Sequence, residues 1–347
     1  MNFIMPLMLL TLLQSPHSKI DEICQKAIEK GDGPGFSVAV IQNGEVIHVA
    51  GYGLADIENQ TPAQPETSYR VGSVTKQFCA MAIQILEEEG KLSIQDLLSD
   101  RLPPFPAEKK IRIHHLLTHT SGLKKLDKKE LPRLEPGELP TSEEIIGLLG
   151  SGPLDFEPGD QHVYGNPQYI LASLLVEAIS GLSFADFLDE RIFTHLEMNN
   201  TKIGPAGDSL PYHAVGYEKN QTTKEWDPAS IAQLRLAKGA GAMTTTVQDL
   251  AKWAQALQAQ KFLSPDGYQK MATRVTLNDG TKADYGLGWR LSDHRGRRLV
   301  AHGGGTSGFF GYIGRLVDDG LTIIILSNGA KSGGRQLFNK IADVVLN

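Results

Sequence analysis

Strand-like sequence stands at the two ends of this chain and helix-like sequence fills the space between, and nothing else about it constrains the fold more. Near the N-terminus, "GFSVAVIQNGEVIHVAG" (residues 35–51) holds two alternating, β-branched runs joined by Asn43-Gly44, the dipeptide that most favours a two-residue hairpin turn. Toward the C-terminus, "YGLGWRLS", "RRLVAHG", "FFGYIGRLV" and "LTIIILSNG" read as an antiparallel meander, followed by an amphipathic helix in "GRQLFNKIADVVLN". The middle is helical. A short helix in "SKIDEICQKAIEKGDG" precedes the first strand, and "SVTKQFCAMAIQILEEEG", "SEEIIGLLGSG", "PQYILASLLVEAISG", "SFADFLDERIF" and "VQDLAKWAQALQAQ" carry helical periodicity or good caps. Strands so far apart share a core only if the two chain ends meet in one sheet. The expected fold is therefore α+β: an antiparallel sheet built from N- and C-terminal strands and flanked by helices, plus an all-helical lobe. Residues 19–75 and 270–347 form the sheet lobe of this single domain and residues 76–269 the mainly helical one.

With 347 residues, 41% hydrophobic and 21% charged, the chain can bury a large core. Its formal charge of −6 and lack of basic runs argue against nucleic acid and anionic membranes, which leaves a small molecule or short peptide as the expected partner. The apolar stretch Phe3–Leu13 is too short to span a bilayer as a helix. It reads as a secretory signal over residues 1–18, and export is expected. Two cysteines, Cys24 and Cys79, exclude a four-cysteine zinc site and a disulfide framework.

"VGSVTKQF" (residues 71–78) carries an anomaly. A serine at a helix start is a common N-cap, and this chain caps helices in a regular way: Thr141, Ser93, Ser183 and Thr246 each stand three residues before an acid, which suits the positive end of the helix dipole. Three residues after Ser73 stands Lys76 instead. A cation in the first turn is unfavourable by roughly 0.3 to 1 kcal/mol when exposed, so capping gives no reason for it. Residues i and i+3 share a helix face, about 5 to 6 Å apart at Cβ. Lys76 can thus reach the Ser73 hydroxyl beside free backbone N–H groups that favour an oxyanion.

The spacing alone recurs at Ser121 and Lys124, where a following glycine marks a loop. Two further stretches give Ser73 its context. "VYGNPQY" holds Tyr164 and Asn166 ahead of a helix opened by Pro167; Asn166 as N-cap and Tyr164 as a core aromatic is the structural alternative. "VAHGGGTSGFFGYIG" holds His302, Gly303, Gly304 and Gly305 at a strand end, where glycines mark a turn or a close backbone approach. His115 and His119 have the i, i+4 spacing of zinc ligands, but H-E-x-x-H and an evident third ligand are missing, so no metal is expected. No cofactor is expected either: the chain has no Walker A motif, and it lacks the G-x-S-x-G elbow of ordinary α/β-hydrolases.

"SVTK", "YGN" and "HGG" in that order, with "LLTHTSGL", "FEPGDQHVYGN", "GAGAMTTTVQDLAKWAQAL", "YGLGW" and "HGGGTSGF", resemble the serine penicillin-recognising enzymes. Within them the chain is similar to the class C β-lactamase-like hydrolases, D-aminopeptidases, carboxypeptidases and esterases, over nearly everything after residue 20. The resemblance implies that Ser73 is the acylated nucleophile and Lys76 its activating partner. It also implies that Tyr164 is the general-base tyrosine, Asn166 a substrate-orienting amide and His302 the first residue of the third motif. The backbone N–H groups of Ser73 and Gly305 are the implied oxyanion hole. Such chemistry needs a shifted pair, because free Lys and Tyr titrate near 10.4 and 10; burial favours neutral lysine, while a lysine cation favours phenolate.

The third motif of the family is commonly Lys-Thr-Gly. Here His302 titrates near 6.5 if unperturbed, and Gly303 offers no side-chain hydrogen bond. The expectation is thus an esterase, or a D-amino-acid amidase or peptidase, ahead of a true β-lactamase or DD-carboxypeptidase. The rival of another class is a catalytically silent sensor that captures peptidoglycan-like peptides or β-lactams.

Overall fold

The computed structural model describes residues 16–125, 140–230, 236–330 and 333–346. Seven antiparallel strands form the main sheet: β1 (Gly35–Gln42), β2 (Glu45–Asp56), β3 (Thr61–Pro62), β4 (Arg290–His294), β5 (Arg297–Thr306), β6 (Phe309–Leu316) and β7 (Leu321–Ser327), in the order β3-β2-β1-β7-β6-β5-β4. The two chain ends meet at β1 and β7, from Phe36 opposite Ser327 to Gln42 opposite Leu321. Asn43 and Gly44 join β1 to β2 with φ of 52° and 84°, the two positive angles that a type I′ turn requires.

Period-2 alternation divides the sheet's side chains between two cores. Val38, Val40, Ile323 and Ile325 point to one face, where α1 (Pro16–Glu29) and α7 (Gly334–Val345) cover them with Ile20, Cys24, Phe338 and Ile341. Ala39, Ile41, Ile313, Ile324 and Leu326 point to the other. There they meet α2 (Thr75–Glu88), buried from Thr75 to Leu86, and α6 (Val247–Gln258), whose Trp253 donates to Gln77 Oε1 at 2.7 Å. The remaining helices that frame the site are α3 (Ile113–Leu117), α4 (Ser142–Gly150) and α5 (Pro167–Ser180). Cys24 and Cys79 lie in different cores and are free thiols.

Local signals behave as their chemistry dictates, with two exceptions. Thr141, Ser183 and Thr246 accept from the backbone N–H of Glu144, Asp186 and Asp249 at 3.2, 3.1 and 3.1 Å. Ser93 caps no helix: Asp96 Oδ2 accepts from Ser93 N in a turn, and the next helix begins only at Leu98. "YGLGWRLS" becomes strand only from Arg290, because Gly286 N donates to Trp289 O and Leu287 N to Met271 O rather than to the sheet. The helical middle also contains short strands, and Met243–Thr245 pairs with both Tyr69–Arg70 and Lys202–Ile203. Among the described residues no single helix is long and apolar enough to cross a membrane. The apolar stretch Phe3–Leu13 lies outside the described residues.

Candidate active site

Ser73 sits in a single 3-10 turn, Gly72–Val74, that leads straight into α2. It is not a cap: the N-cap of α2 is Val74, without a side-chain cap bond, and the Ser73 hydroxyl accepts from Lys76 Nζ at 3.0 Å. Lys76 has no exposed surface. Its other hydrogen bonds go to Asn166 Oδ1 at 2.9 Å and Ala240 O at 2.7 Å, and among the described residues no carboxylate pairs with it. Burial, helped by the Arg290 charge and opposed by Cys79, pushes the Lys76 ammonium down to about 7. The cation stripped of water and given only neutral partners is the cause.

The loop ahead of α5 brings in the second motif. Asn166 has helical backbone angles and makes no cap bond, so its amide oxygen is spent on Lys76 rather than on the helix. Pro167 takes the first helical position, as its fixed φ allows. Burial raises the Tyr164 phenol above the ordinary range, against the lowering effects of the nearby Ser73 hydroxyl and of Arg290. Lys76 Nζ lies 5.0 Å from the Tyr164 ring centroid.

The third motif is β5. Gly304 allows the strand to press on the Ser73 turn: a Cβ there would stand 2.0 Å from Val71 O and 2.6 Å from Ser73 N. Gly72, at φ +50°, also faces Gly305 closely, since its Cβ would stand 2.7 Å from Gly305 O and 2.9 Å from Gly305 N. The backbones of Ser73 and Gly305 are therefore neighbours. Strand β4 pairs with β5 only from Arg297 to Ala301, so Gly303 and the residues beyond it run past their outer neighbour.

His302 has both ring nitrogens engaged within the protein. Its Nδ1–H donates to Gly303 O at 2.7 Å, and its Nε2 accepts from the Tyr285 hydroxyl at 2.9 Å. It is fully buried, and burial together with the Lys76 charge pushes its pKa down to about 3. The ring is neutral and both nitrogens are engaged, so it offers no cation to a carboxylate.

Sequence reasoning passed over three residues that stand here. Tyr285, inside the quoted "YGLGW", holds His302. Arg290, the next charged residue along, is exposed and sits with its guanidinium carbon 4.7 Å from the Tyr164 ring centroid. His119, set aside with His115 as a metal-like pair, has its ring 4.3 Å from that of Tyr164. His115 turns instead to its own helix start, where its Nδ1 accepts from Arg112 N, and among the described residues no group of three His, Cys, Asp or Glu side chains could hold a metal. Ser121 is buried and accepts from Leu123 N, which makes it a turn residue.

An antiparallel sheet carrying an inserted helical lobe, with a buried lysine on a serine at the join, defines the class: the penicillin-recognising serine hydrolases. Residues 20–346 match the β-lactamase family, and the chain belongs to it. It is 29% identical over 306 residues to a penicillin-binding protein of Bacillus subtilis strain 168, covering 84% of this chain and 67% of that one. It is 27% identical to a D-aminopeptidase of Gluconobacter oxydans strain 621H, over 85% of this chain but only 56% of the relative. Among solved structures, the D-amino acid amidase of Ochrobactrum anthropi SV3 superposes with a TM-score of 0.84, covering 96% of this chain and 99% of that one at 23% identity, a likeness of fold.

Proposed function

We propose that this chain is a serine hydrolase that cleaves amide, peptide or ester bonds of small molecules and short D-amino-acid peptides through an acyl-enzyme on Ser73. The observation that carries the reading is Lys76 Nζ, fully buried, 3.0 Å from Ser73 Oγ and pushed down to about 7. A serine hydroxyl attacks only when a neighbour takes its proton. An amine is that neighbour only in its neutral form, which a pKa near 7 supplies at neutral pH.

In the proposed acylation, Ser73 Oγ bonds to the substrate carbonyl carbon while its proton passes to the Lys76 amine. The carbonyl oxygen takes the negative charge and is received by the N–H groups of Ser73 and Gly305. When the intermediate collapses, the bond to the leaving nitrogen or oxygen breaks. Tyr164, a phenol rather than a phenolate at neutral pH, protonates the leaving group, and the proton on Lys76 restores the phenol. Water then attacks the acyl carbonyl with the same amine as base and frees Ser73. Asn166 holds Lys76 through Oδ1 and has its amide NH2 for the substrate. A peptide substrate extends the sheet along β5 beyond Ala301, where β4 has ended.

Carboxylate-bearing substrates gain support from one observation, the exposed Arg290 guanidinium over Tyr164. It is a permanent cation that binds carboxylate bidentately and takes the part that neutral His302 cannot. The names of the relatives, a penicillin-binding protein and a D-aminopeptidase, agree with this chemistry. A panel of short-chain p-nitrophenyl esters, D-amino-acid amides, D-Ala-D-Ala peptides and a chromogenic cephalosporin, with Ser73→Ala as control, tests the reading. Turnover of at least one class, lost in the control, is expected. A stable adduct on Ser73 without turnover of any class would establish the sensor instead. Export, expected from the Phe3–Leu13 stretch, is proposed with it; recovery of the full-length chain from the cytoplasm, with Met1 or Asn2 at its N-terminus, would oppose it.

A further inference from the structure

We propose that His119 is a positioning residue for Tyr164, holding the backbone on either side of it so that the phenol meets Ser73. The inference rests on the reading of Tyr164 given above. Residues 161–165 belong to neither helix nor strand, so the direction of Tyr164 depends on what grips that stretch. His119 grips it twice. Its carbonyl accepts from Val163 N at 2.9 Å, and its imidazole Nδ1 accepts from Gly165 N at 3.3 Å. The ring then lies against Tyr164, with centroids 4.3 Å apart, and against Tyr285 at 4.8 Å and Tyr169 at 5.1 Å. Thr120 extends the grip by accepting from Gly159 N at 2.8 Å.

Two features separate this histidine from an ordinary core residue. Its backbone is left-handed, φ +58°, a conformation that non-glycine residues adopt at a cost and that clusters at functional sites. Its Nε2 is buried with no protein hydrogen bond among the described residues, whereas buried polar atoms selected for stability alone are almost always paired. Because Nδ1 accepts from a backbone N–H, the proton is on Nε2 and the ring is neutral. Burial first, then the charges of Lys76 and Arg290, keep it so by holding its pKa well below the ordinary histidine value. His119 therefore exchanges no proton with Tyr164; it acts through geometry. A displacement of about 1 Å at a reacting group costs on the order of 100-fold in rate.

The test compares variants that keep or delete the Nδ1 acceptor while tolerating the left-handed backbone. Asparagine does both, since its Oδ1 is two bonds from Cβ, as Nδ1 is; glycine keeps the backbone and removes the acceptor. Acylation by a D-amino-acid p-nitroanilide, whose leaving nitrogen needs a proton, is expected to fall about 100-fold in His119→Gly with KM changed less than about threefold, and to stay within about fivefold of the original in His119→Asn. In a Tyr164→Phe background, His119→Gly should add no more than about a twofold loss, because the two act through one group. Should the glycine chain not fold, His119→Ser, whose hydroxyl is one bond short of the acceptor position, carries the same comparison. Equal losses with and without the Tyr164→Phe change, no loss in the folded glycine or serine chain, or failure of asparagine to restore the rate would overturn the proposal. Full acylation by Tyr164→Phe alone would instead overturn the role of Tyr164.

Discussion

At Lys76, burial and chemistry pull in one direction. The same desolvation that makes an unpaired ammonium costly leaves an amine able to take a proton from Ser73 near pH 7. The neutral amine is the active form, so acylation should rise tenfold per pH unit below about 7 and level off above it, with Tyr164 still a phenol because its own pKa is raised. Stopped-flow acylation across pH 5 to 9 checks this; a flat profile through 7 would contradict it. Replacing Lys76 by Met removes the base and should cost about 100- to 10,000-fold in acylation. Arg290→Ala separates substrate classes: turnover of carboxylate-bearing substrates should fall about tenfold or more, equivalent to 1.4 kcal/mol, while neutral esters change little. The lysine was legible in the sequence because it offends the helix dipole. Arg290 was not, since nothing in "GWRLS" tells on which side of a strand end a guanidinium will lie.

Strand β5 and the Ser73 turn form a single unit at the scale of elements. Gly304→Ala would force Cβ into Val71 O and Ser73 N, which drives the two oxyanion donors apart. Activity should drop by about 100-fold or more, in line with loss of a donor, and circular dichroism of the variant will tell this from unfolding. Beneath the strand, Tyr285→Phe leaves the ring but orphans His302 Nε2, which should cost about 1 to 3 kcal/mol in a denaturant titration. The hairpin at Asn43-Gly44 and the caps at Thr141, Ser183 and Thr246 were legible because their chemistry is local: the donor and acceptor lie within four residues. His302 was left open for the opposite reason. Its charge depends on Tyr285, on Gly303 O and on burial, and only packing brings those together. His119 escaped notice similarly, because its spacing from His115 offered only a metal pattern, which was set aside, while its partners lie 44 and 46 residues away at Val163 and Gly165.

The molecule as a whole is organised by the meeting of its two ends. The pairing of β1 with β7 was foreseeable from strand-like sequence at both termini and a helical middle, because no other arrangement gives those strands a common core. Asn328, just past β7, fixes this meeting: its Nδ2 donates to Leu54 O, Ala55 O and Val215 O, each at 3.0 Å, and its Oδ1 accepts from Gly35 N at 3.0 Å. Such convergence on one side chain cannot be read from "SNG". The same meeting sets β5 against the start of α2, so that the proposed catalytic groups come from segments more than 200 residues apart in sequence, Ser73 and Gly305. The central claim is that Ser73 is acylated and that Lys76 makes it reactive. Intact mass and peptide mapping after treatment with a fluorophosphonate and an activated ester test it most directly. A single adduct on the peptide containing Ser73, absent in Ser73→Ala and strongly slowed in Lys76→Met, is the predicted result. An adduct on another residue, or none from either reagent on the folded protein, would contradict the account.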